Sequence, residues 1–245
     1  MNLLLFSFVT GLLIGTVGIG GILLAPMLVY VAGIDLHLAL ATSSLSFLFA
    51  GIAGTIAYAR KGTISWNTVG WLCVGVIPAA LVGARVNVAL PAGVLTVILA
   101  VLIVLSGINA LLKKPVSIKS GFRANRFVLV SIGVAVGFGS ALTGTGGPVL
   151  LLPILMFGNV PALAAIGVSQ AIQIPVSVFA TAGFLVFGRI DIELGIQLGL
   201  IMAVGVIIGA QIAHKVSASR LRQLVAIALV TVGLLMIVRT LTNSL

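Results

Sequence analysis

Long apolar runs follow one another along almost the whole chain, and short polar stretches separate them. Eight apolar segments can be delimited, at about 3–32, 36–59, 66–89, 93–112, 127–157, 162–187, 194–213 and 223–238. A helix of roughly 20 apolar residues spans the ~30 Å hydrocarbon core of a bilayer. The pattern therefore predicts an all-α polytopic membrane protein with about eight hydrophobic segments.

The first and the fifth apolar segments are each interrupted near the middle by a glycine-rich motif. The first contains "GIGGILLAP" at residues 18–26, and the fifth contains "GTGGPVLLLP" at residues 144–153. Residues 3–32 would form a straight helix of roughly 45 Å, which is too long to cross upright. We expect each motif to divide its segment into two pieces that are too short to span the bilayer alone.

The two halves of the chain repeat each other at an offset of 126 residues. Seven of the fourteen first-half glycines find a glycine partner at this offset, where composition alone would give about two. The pairs are Gly11/Gly137, Gly18/Gly144, Gly20/Gly146, Gly21/Gly147, Gly62/Gly188, Gly83/Gly209 and Gly107/Gly233. We predict an internal duplication, with a first membrane repeat at 1–112, a basic cytoplasmic linker at 113–126 and a second membrane repeat at 127–245.

Two architectures are consistent with the broken segments. If both cross the membrane, the halves are parallel; nine basic residues then lie inside and four outside. If both dip in and return, the halves are inverted, with ten inside and three outside. The outside residues are Arg85, Lys215, Arg220 and Arg222 in the first case and Arg85, Arg189 and Arg239 in the second. Because Lys and Arg favour the cytoplasmic side, we lean to the inverted arrangement, which also explains the short pieces.

Composition indicates an integral membrane protein and excludes a soluble globule. The chain is 61% hydrophobic and 7% charged, with a mean hydropathy of +1.37, whereas soluble domains carry roughly a quarter charged residues. The net charge of +10 lies mainly between apolar segments, so we expect a topological role and no nucleic-acid partner. The single Cys73 cannot form an internal disulfide. The N-terminus has no basic n-region and no cleavage site, which predicts a retained membrane segment.

Helices that restart at membrane depth predict a site for a small anion. The pieces after the breaks would begin at Gly21 and Gly147, and Pro148 suits a first helical turn. Helix N-termini attract anions through free N–H groups and the positive end of the dipole, and glycine permits close approach. Tight helix crossing is the alternative reading. The candidate residues are Gly18, Gly20, Gly21, Gly144, Thr145, Gly146 and Gly147.

A second set of polar residues follows each break, in "ATSSLS" at 41–46 and "GVSQAIQIP" at 167–175. Neutral donors suit an anion that must be released again, whereas a fixed cation would hold it more tightly. The alternative is hydrogen bonding between helices, worth only ~0.6 kcal/mol per pair. The candidates are Thr42, Ser43, Ser169, Gln170 and Gln173, and Ser43 and Ser169 are equivalent in the repeat.

Motifs for chemistry are missing from the sequence. No His, Cys or carboxylate cluster indicates a metal site, and no nucleophile–base spacing indicates catalysis. A Walker-type phosphate loop is also missing, which argues against transport driven directly by ATP within this chain. We therefore expect neither an enzyme nor a cofactor.

The two glycine motifs and their surroundings resemble the sulfite exporter TauE/SafE family of membrane proteins. The resemblance rests on "GLLIGTVGIGGILLAPMLVYVAGIDLHLALATSSLS", on "GTISW" and on the second-half "GTGGPVLLLPILMFGNVPALAAIGVSQ". It covers nearly the whole chain. The first motif departs from the fuller Gly-Gly-Gly form of the family, because Ile22 stands where a third glycine is common. The resemblance implies secondary transport across the cytoplasmic membrane, often of sulfite or organosulfonates.

The leading hypothesis is a secondary transporter or facilitator of a small anion, sulfite or an organosulfonate, with its site between the two repeats. Its partners would be that anion and the lipid bilayer, and a homo-oligomer stays open. A non-transporting membrane scaffold or assembly subunit is the alternative of another class, in which the glycines serve only packing. A passive anion channel is the third.

Overall fold

The computed structural model describes residues 2–112, 125–158 and 160–213, together with Val230 and Leu234. The predicted segment at 223–238, apart from those two residues, and the predicted linker, apart from residues 125 and 126, lie outside the described part. Within it the chain folds into helices joined by short turns. These are α1 (Asn2–Val17), α2 (Leu24–Tyr30), α3 (Leu36–Ala59), α4 (Trp66–Ala89), α5 (Ala92–Leu112), α6 (Arg126–Thr143), α7 (Pro148–Phe157), α8 (Ala162–Phe187) and α9 (Ile192–Ile212).

Five of these helices are long and apolar enough to cross a membrane, namely α3, α4, α6, α8 and α9. Their outward faces carry exposed apolar side chains such as Val74, Leu200 and Val204. Apolar surface of this extent is rare on soluble monomers, and it matches the hydrocarbon of a bilayer. The protein is therefore a multi-pass helical membrane protein, as the apolar pattern predicts.

Both broken segments are interrupted at the glycine motifs. The first helix ends at Val17, a short 3-10 turn occupies Gly21–Leu23, and α2 follows; in the second half, α6 ends at Thr143 and α7 starts at Pro148. Gly18 and Gly144 adopt positive φ angles of 77° and 58°. Residues with a Cβ rarely adopt this left-handed conformation, so glycine at these two positions lets the helices end there.

The chain turns back on itself at each break. A Cβ on Gly20 would lie 2.7 Å from the carbonyl oxygen of Thr10, although ten residues of continuous helix would separate the two by about 15 Å. In the second half, a Cβ on Gly139 would lie 2.7 Å from Cδ1 of Leu150. Each broken segment therefore folds back as a helical hairpin. The prediction that its pieces are too short to cross the membrane fits α1, α2 and α7, with 16, 7 and 10 residues. It is wrong for α6, whose 18 residues are long and apolar enough to cross.

Glycine contacts show the direction in which α1 packs on α9. A Cβ on Gly11 would collide with the backbone of Met202, and one on Gly15 would collide with the backbone of Val206. Chain positions rise together along the contact, so α1 and α9 run in the same direction. The missing side chains let the two backbones approach closely.

The same arrangement joins α4 and α6. A Cβ on Gly133 would meet Leu72, and one on Gly137 would meet Val76. These helices also run in the same direction. Gly137 stands 126 residues after Gly11, and its partner Val76 stands 126 residues before Met202. Equivalent glycines thus contact equivalent positions in the opposite half of the chain.

The helices α3 and α8 lie at the centre and cross in opposite directions. Gln173 contacts Phe47, Gln170 contacts Gly54, and Gly167 contacts Tyr58, so one chain position falls as the other rises. The helix α9 runs parallel to α3, and α4 runs parallel to α8. Consequently α1, α3 and α9 share one direction, and α4, α6 and α8 share the opposite one.

Replacing Gly75 by alanine tests the close packing of α4 on α6. A Cβ at Gly75 would collide with the carbonyl oxygen of Val130 and lie 2.7 Å from the amide nitrogen of Val134. Overpacking of this kind costs about 1–3 kcal/mol, so we expect Gly75→Ala to lower the melting temperature by several degrees. The measurement is thermal unfolding of the detergent-solubilised protein.

Gly70→Ala is the matched control on the same helix, because a Cβ there would meet nothing within 4 Å. We expect its melting temperature to equal or slightly exceed that of the wild type. Equal melting temperatures for Gly70→Ala and Gly75→Ala would contradict the packing of α4 on α6.

Candidate functional site

The two glycine motifs converge on one aromatic side chain, Phe47 of α3. A Cβ on Gly21 would lie 2.9 Å from Cε1 of the Phe47 ring, and one on Gly146 would lie 2.8 Å from Cδ2. Phe47 is fully buried. Both breaks therefore meet at the middle of α3, with the ring between them.

Gln173 of α8 forms a hydrogen bond to α3 where the two helices cross. Its Nε2 donates a hydrogen bond to the carbonyl oxygen of Phe47 at 3.0 Å. Phe47 and Gln173 are 126 residues apart, the same offset that relates the glycines. The two central helices thus touch at positions that are one 126-residue offset apart.

A narrow space lies between the breaks, and it has no room for a water molecule. Any ligand would need the walls to move apart. The space is lined by Ile14, Gly18, Gly21, Phe47, Thr145, Pro148, Val149 and Gln173.

The N-terminus of α7 forms one wall of this space. Gly147 is the N-cap residue, with φ of 109°, and Pro148 occupies the first turn. The N–H groups of a first helical turn lack partners within the helix. Of the two α7 residues that line the space, Pro148 has no N–H, so Val149 supplies the donor; the N–H groups of Leu150 and Leu151 bond to the Gly147 carbonyl oxygen. The wall therefore presents the Val149 N–H and the positive end of a helix dipole.

Thr145 adds a hydroxyl group to the same wall. Its side chain is buried, and its Oγ1 lies 3.1 Å from Oγ1 of Thr143. Because the Thr143 hydroxyl donates to the Gly139 carbonyl oxygen at 2.7 Å, Thr145 donates to Thr143 in this pair. Rotation of the Thr145 hydroxyl would let it donate to a ligand instead.

The two breaks are unequal, although their sequences look alike. The helix α7 has ten residues, whereas α2 has only seven and is preceded by the 3-10 turn. In the 3-10 turn, the Leu24 N–H already bonds to the Gly21 carbonyl oxygen. The start of α2 is therefore less open to a ligand than the start of α7.

The two candidate glutamines of α8 play different roles. Gln170 Nε2 donates to the carbonyl oxygen of Ile14 at 3.1 Å, and its Oε1 lies against Gly54, where a Cβ would be 2.5 Å away. Gln170 thus fills the place of the missing Gly54 side chain and ties α1 to α8. Gln173 instead borders the space between the breaks.

Two polar side chains of α3 connect it to α9, whereas Ser44 and Thr55 bond to carbonyl oxygens of α3 itself. Thr42 Oγ1 accepts a hydrogen bond from the backbone N–H of Asp191 at 3.2 Å, and Ser46 Oγ donates to the carbonyl oxygen of Gly195 at 2.9 Å. Both bonds join α3 to the start of α9. Ser43 and Ser169 are fully buried, and neither hydroxyl has a partner among the described residues.

The structure brings four of the twelve candidate residues together around the space: Gly18, Gly21, Thr145 and Gln173. Gly146 packs on the Phe47 ring and Gly144 packs on Leu40. Eight candidates lie outside the lining: Gly20, Thr42, Ser43, Gly144, Gly146, Gly147, Ser169 and Gln170.

Two residues outside the predicted set contact the site or support it. Phe47 stands at the centre of the site, and its place 126 residues before Gln173 was the available signal. Asn87 is fully buried and donates from Nδ2 to the carbonyl oxygen of Leu142 at 2.6 Å, while its Oδ1 lies 3.3 Å from Nδ1 of His37. It holds the end of α6 just before the second break. An amide inside an apolar segment was the signal there.

Carboxylates in the described part of the chain lie at helix starts and not in the site. Asp35 caps α3, Asp191 caps α9, and Glu193 accepts a hydrogen bond from Gln197. The described residues contain no group of three His, Cys, Asp or Glu side chains that could hold a metal ion. The lining itself consists of uncharged side chains.

Comparison with known proteins agrees with this architecture. The family model for the sulfite exporter TauE/SafE matches residues 3–236. The probable membrane transporter protein YdhB of Bacillus subtilis (strain 168) is 25% identical over 97% of this chain and 100% of its own length. The probable membrane transporter protein MJ0441 of Methanocaldococcus jannaschii is 25% identical over 96% of this chain and 94% of its own length. No solved structure matches the chain.

The helical architecture and these relatives define a multi-pass membrane transporter. Within that class, the chain belongs to the sulfite exporter TauE/SafE family, because the family model covers nearly its whole length.

A double-mutant cycle at Gly21 and Phe47 tests the contact at the first break. Gly21→Ala places a Cβ 2.9 Å from the Phe47 ring, so we expect it to lower the melting temperature. Phe47→Leu shortens the side chain and should absorb part of that loss. For residues in contact, coupling energies are about 0.5–3 kcal/mol, and thermal unfolding of the two single variants and the double variant measures the coupling.

Gly146→Ala provides the comparison for this cycle. It also meets the Phe47 ring, but its φ of 76° is unfavourable for alanine whatever the space. Phe47→Leu should therefore rescue Gly146→Ala less than it rescues Gly21→Ala. Additive losses in the Gly21–Phe47 cycle would show that ring and break are not in contact.

Proposed function

We propose that this transporter is a secondary transporter or facilitator of a small anion, sulfite or an organosulfonate, and that the anion binds between the breaks at Phe47. The observation that carries the proposal is the meeting of both glycine motifs at one buried space walled by the N-terminus of α7. Non-helical backbone at membrane depth is tolerated where it faces protein or a polar cavity.

An anion suits this space better than a cation. The Val149 N–H and the positive end of the α7 dipole attract negative charge. The lining holds no Lys or Arg side chain, so the attraction is moderate and the anion can leave again. The family name and the glycine motifs support sulfite or a sulfonate as this anion.

We further propose that the two halves are inverted repeats that exchange access between the two sides of the membrane. The supporting observation is that α1 and α6, which the 126-residue offset makes equivalent, run in opposite directions. Inverted repeats with the site at their interface are a frequent transporter design. The space around Phe47 has no room for a water molecule, so the anion would enter only when the two halves move apart, and no chemical change of the anion is required.

Basic residues support an orientation for the protein. Arg60 and Lys61 follow α3, and Arg126 begins α6, which places all three at the same side because α3 and α6 run oppositely. Arg85 and Arg189 lie toward the other side. We propose that the side with Arg60, Lys61 and Arg126 is cytoplasmic.

Single-cysteine labelling distinguishes inverted from parallel halves. On a Cys73→Ser background, we expect Lys61→Cys to react with a membrane-impermeant maleimide only after cells are permeabilised. Arg189→Cys should react in intact cells, because α3 and α8 run antiparallel and end on opposite sides. Both side chains are exposed. Labelling of both positions from the same side would contradict the inverted arrangement, and Cys73→Ser alone is the blank.

Flux measurements with Thr145→Val test the site. The purified protein in liposomes should move radiolabelled sulfite or a sulfonate with saturable kinetics, whereas a channel would not saturate and a scaffold would move nothing. Loss of one hydrogen bond to the anion should weaken apparent affinity about three- to tenfold. Thr96→Val is the matched control, because the Thr96 hydroxyl bonds to the Ala92 carbonyl oxygen within its own helix.

We expect Thr96→Val to keep the wild-type affinity. The proposal would be wrong if the wild type moved none of these anions, and the site would be misplaced if both valine variants behaved alike.

A further inference from the structure

We infer that the site selects anions that also carry a hydrogen-bond donor, such as a hydroxyl-bearing sulfonate, and that Oε1 of Gln173 accepts the hydrogen bond from this donor. The inference rests on the proposed function, since it specifies the class of anion that the same space accepts. It comes from two neighbouring groups that line the space. The start of α7 donates a hydrogen bond, and Oε1 of Gln173 can only accept one.

The orientation of the Gln173 amide is determined by its neighbour. Nε2 donates to the carbonyl oxygen of Phe47 at 3.0 Å. Reversing the amide would bring two carbonyl oxygens together, which is repulsive. The Oε1 atom is therefore the group left over, and it can act only as an acceptor.

This Oε1 atom lacks a partner and is shielded from solvent. Gln173 is 1% exposed, and its Oε1 accepts no hydrogen bond from the described residues. The side chain lines the space, which excludes water in this conformation. A buried acceptor without a partner costs free energy, and that cost is recovered when a ligand offers it an O–H or N–H group.

The donor wall stands next to Gln173. A Cβ on Gly147, the N-cap residue of α7, would lie 3.9 Å from the Cα of Gln173. An anion that binds the Val149 N–H in this space would lie beside the Gln173 side chain, because both residues line it. An anion with acceptor oxygens alone would leave Oε1 unpaired, whereas one with a hydroxyl group would satisfy both walls.

A metal cation is a poorer occupant for the same acceptor. The positive end of the α7 dipole repels a cation, and hard cations require about six or more oxygen ligands. The side-chain oxygens of the lining are those of Thr145 and Gln173. The ligand that fits is negative overall and carries its own donor.

Gln170 shows that the unpaired oxygen alone does not define the site. It lies one helical turn before Gln173, is equally buried, and also donates Nε2 to a backbone carbonyl. Its Oε1, however, lies against Gly54 and outside the space. Gln170 is therefore a matched control within the same helix.

The test compares 2-hydroxyethanesulfonate with ethanesulfonate, which carry the same charge and differ by one hydroxyl group. In liposomes containing the wild-type protein, each competes against radiolabelled sulfite. We expect the hydroxyl-bearing sulfonate to compete at an about tenfold lower concentration, the factor that corresponds to 1.4 kcal/mol. In Gln173→Met, which keeps the length of the side chain, the two should compete equally.

Gln170→Met should keep the tenfold preference, even where its melting temperature falls. Equal competition by both sulfonates in the wild type would overturn the inference while leaving anion transport intact. Loss of the preference in Gln170→Met as well would overturn the assignment to Gln173. If no sulfonate competes and no sulfite moves, the proposed function fails together with the inference.

Folding of the methionine variant is not required for a decision. Thermal shift of the wild type alone, with each of the two sulfonates in turn, reports the same preference. A larger stabilisation by 2-hydroxyethanesulfonate at equal concentration supports the inference, and equal stabilisation contradicts it.

Discussion

At the crossing of α3 and α8, the Gln173 amide donates to the carbonyl oxygen of Phe47 at 3.0 Å, and the Phe47 ring fills the gap between the two glycine motifs. Backbone that leaves the helical pattern at membrane depth must be covered by protein or face a polar cavity. The ring and the amide supply that cover. The hairpins of α1 with α2 and of α6 with α7 can therefore exist inside an otherwise apolar protein.

The contact with Phe47 explains part of the glycine pattern that recurs at the 126-residue offset. Gly21 and Gly146 are glycines because any Cβ would collide with the ring, and Gly18 and Gly144 are glycines because they end helices at positive φ. Packing thus accounts for these glycines without a ligand. The case for an anion depends instead on the donor groups of α7 and on the unpaired Oε1 of Gln173.

The opposite directions of α1 and α6 connect this crossing to transport. Gly11 contacts Met202, and Gly137 contacts Val76. The helix α9 therefore packs against the hairpin of the first half, and α4 packs against the hairpin of the second half. Both breaks contact the Phe47 ring. Movement of either half would therefore change the walls of the space at the crossing.

The positions of the helices and of both breaks could be predicted from the sequence, because apolar length and glycine content act locally along the chain. The 126-residue offset was also visible as a pattern of glycines. The sequence further pointed to Thr145 and Gln173 as polar residues beside the breaks. It could not separate Gln173 from Gln170, which are the same residue type on the same helix.

Only the tertiary structure decided that separation, because it depends on which neighbour each amide meets. Gln170 lies against Gly54 of α3, whereas Gln173 borders the space between the breaks. The central place of Phe47 was equally hidden, since a phenylalanine in an apolar segment looks like any other lipid-facing or core residue. The sequence by itself determined where the chain must break in the membrane; the packing of α3 on α8 decided what those breaks enclose, because contacts between distant helices leave no local pattern along the chain.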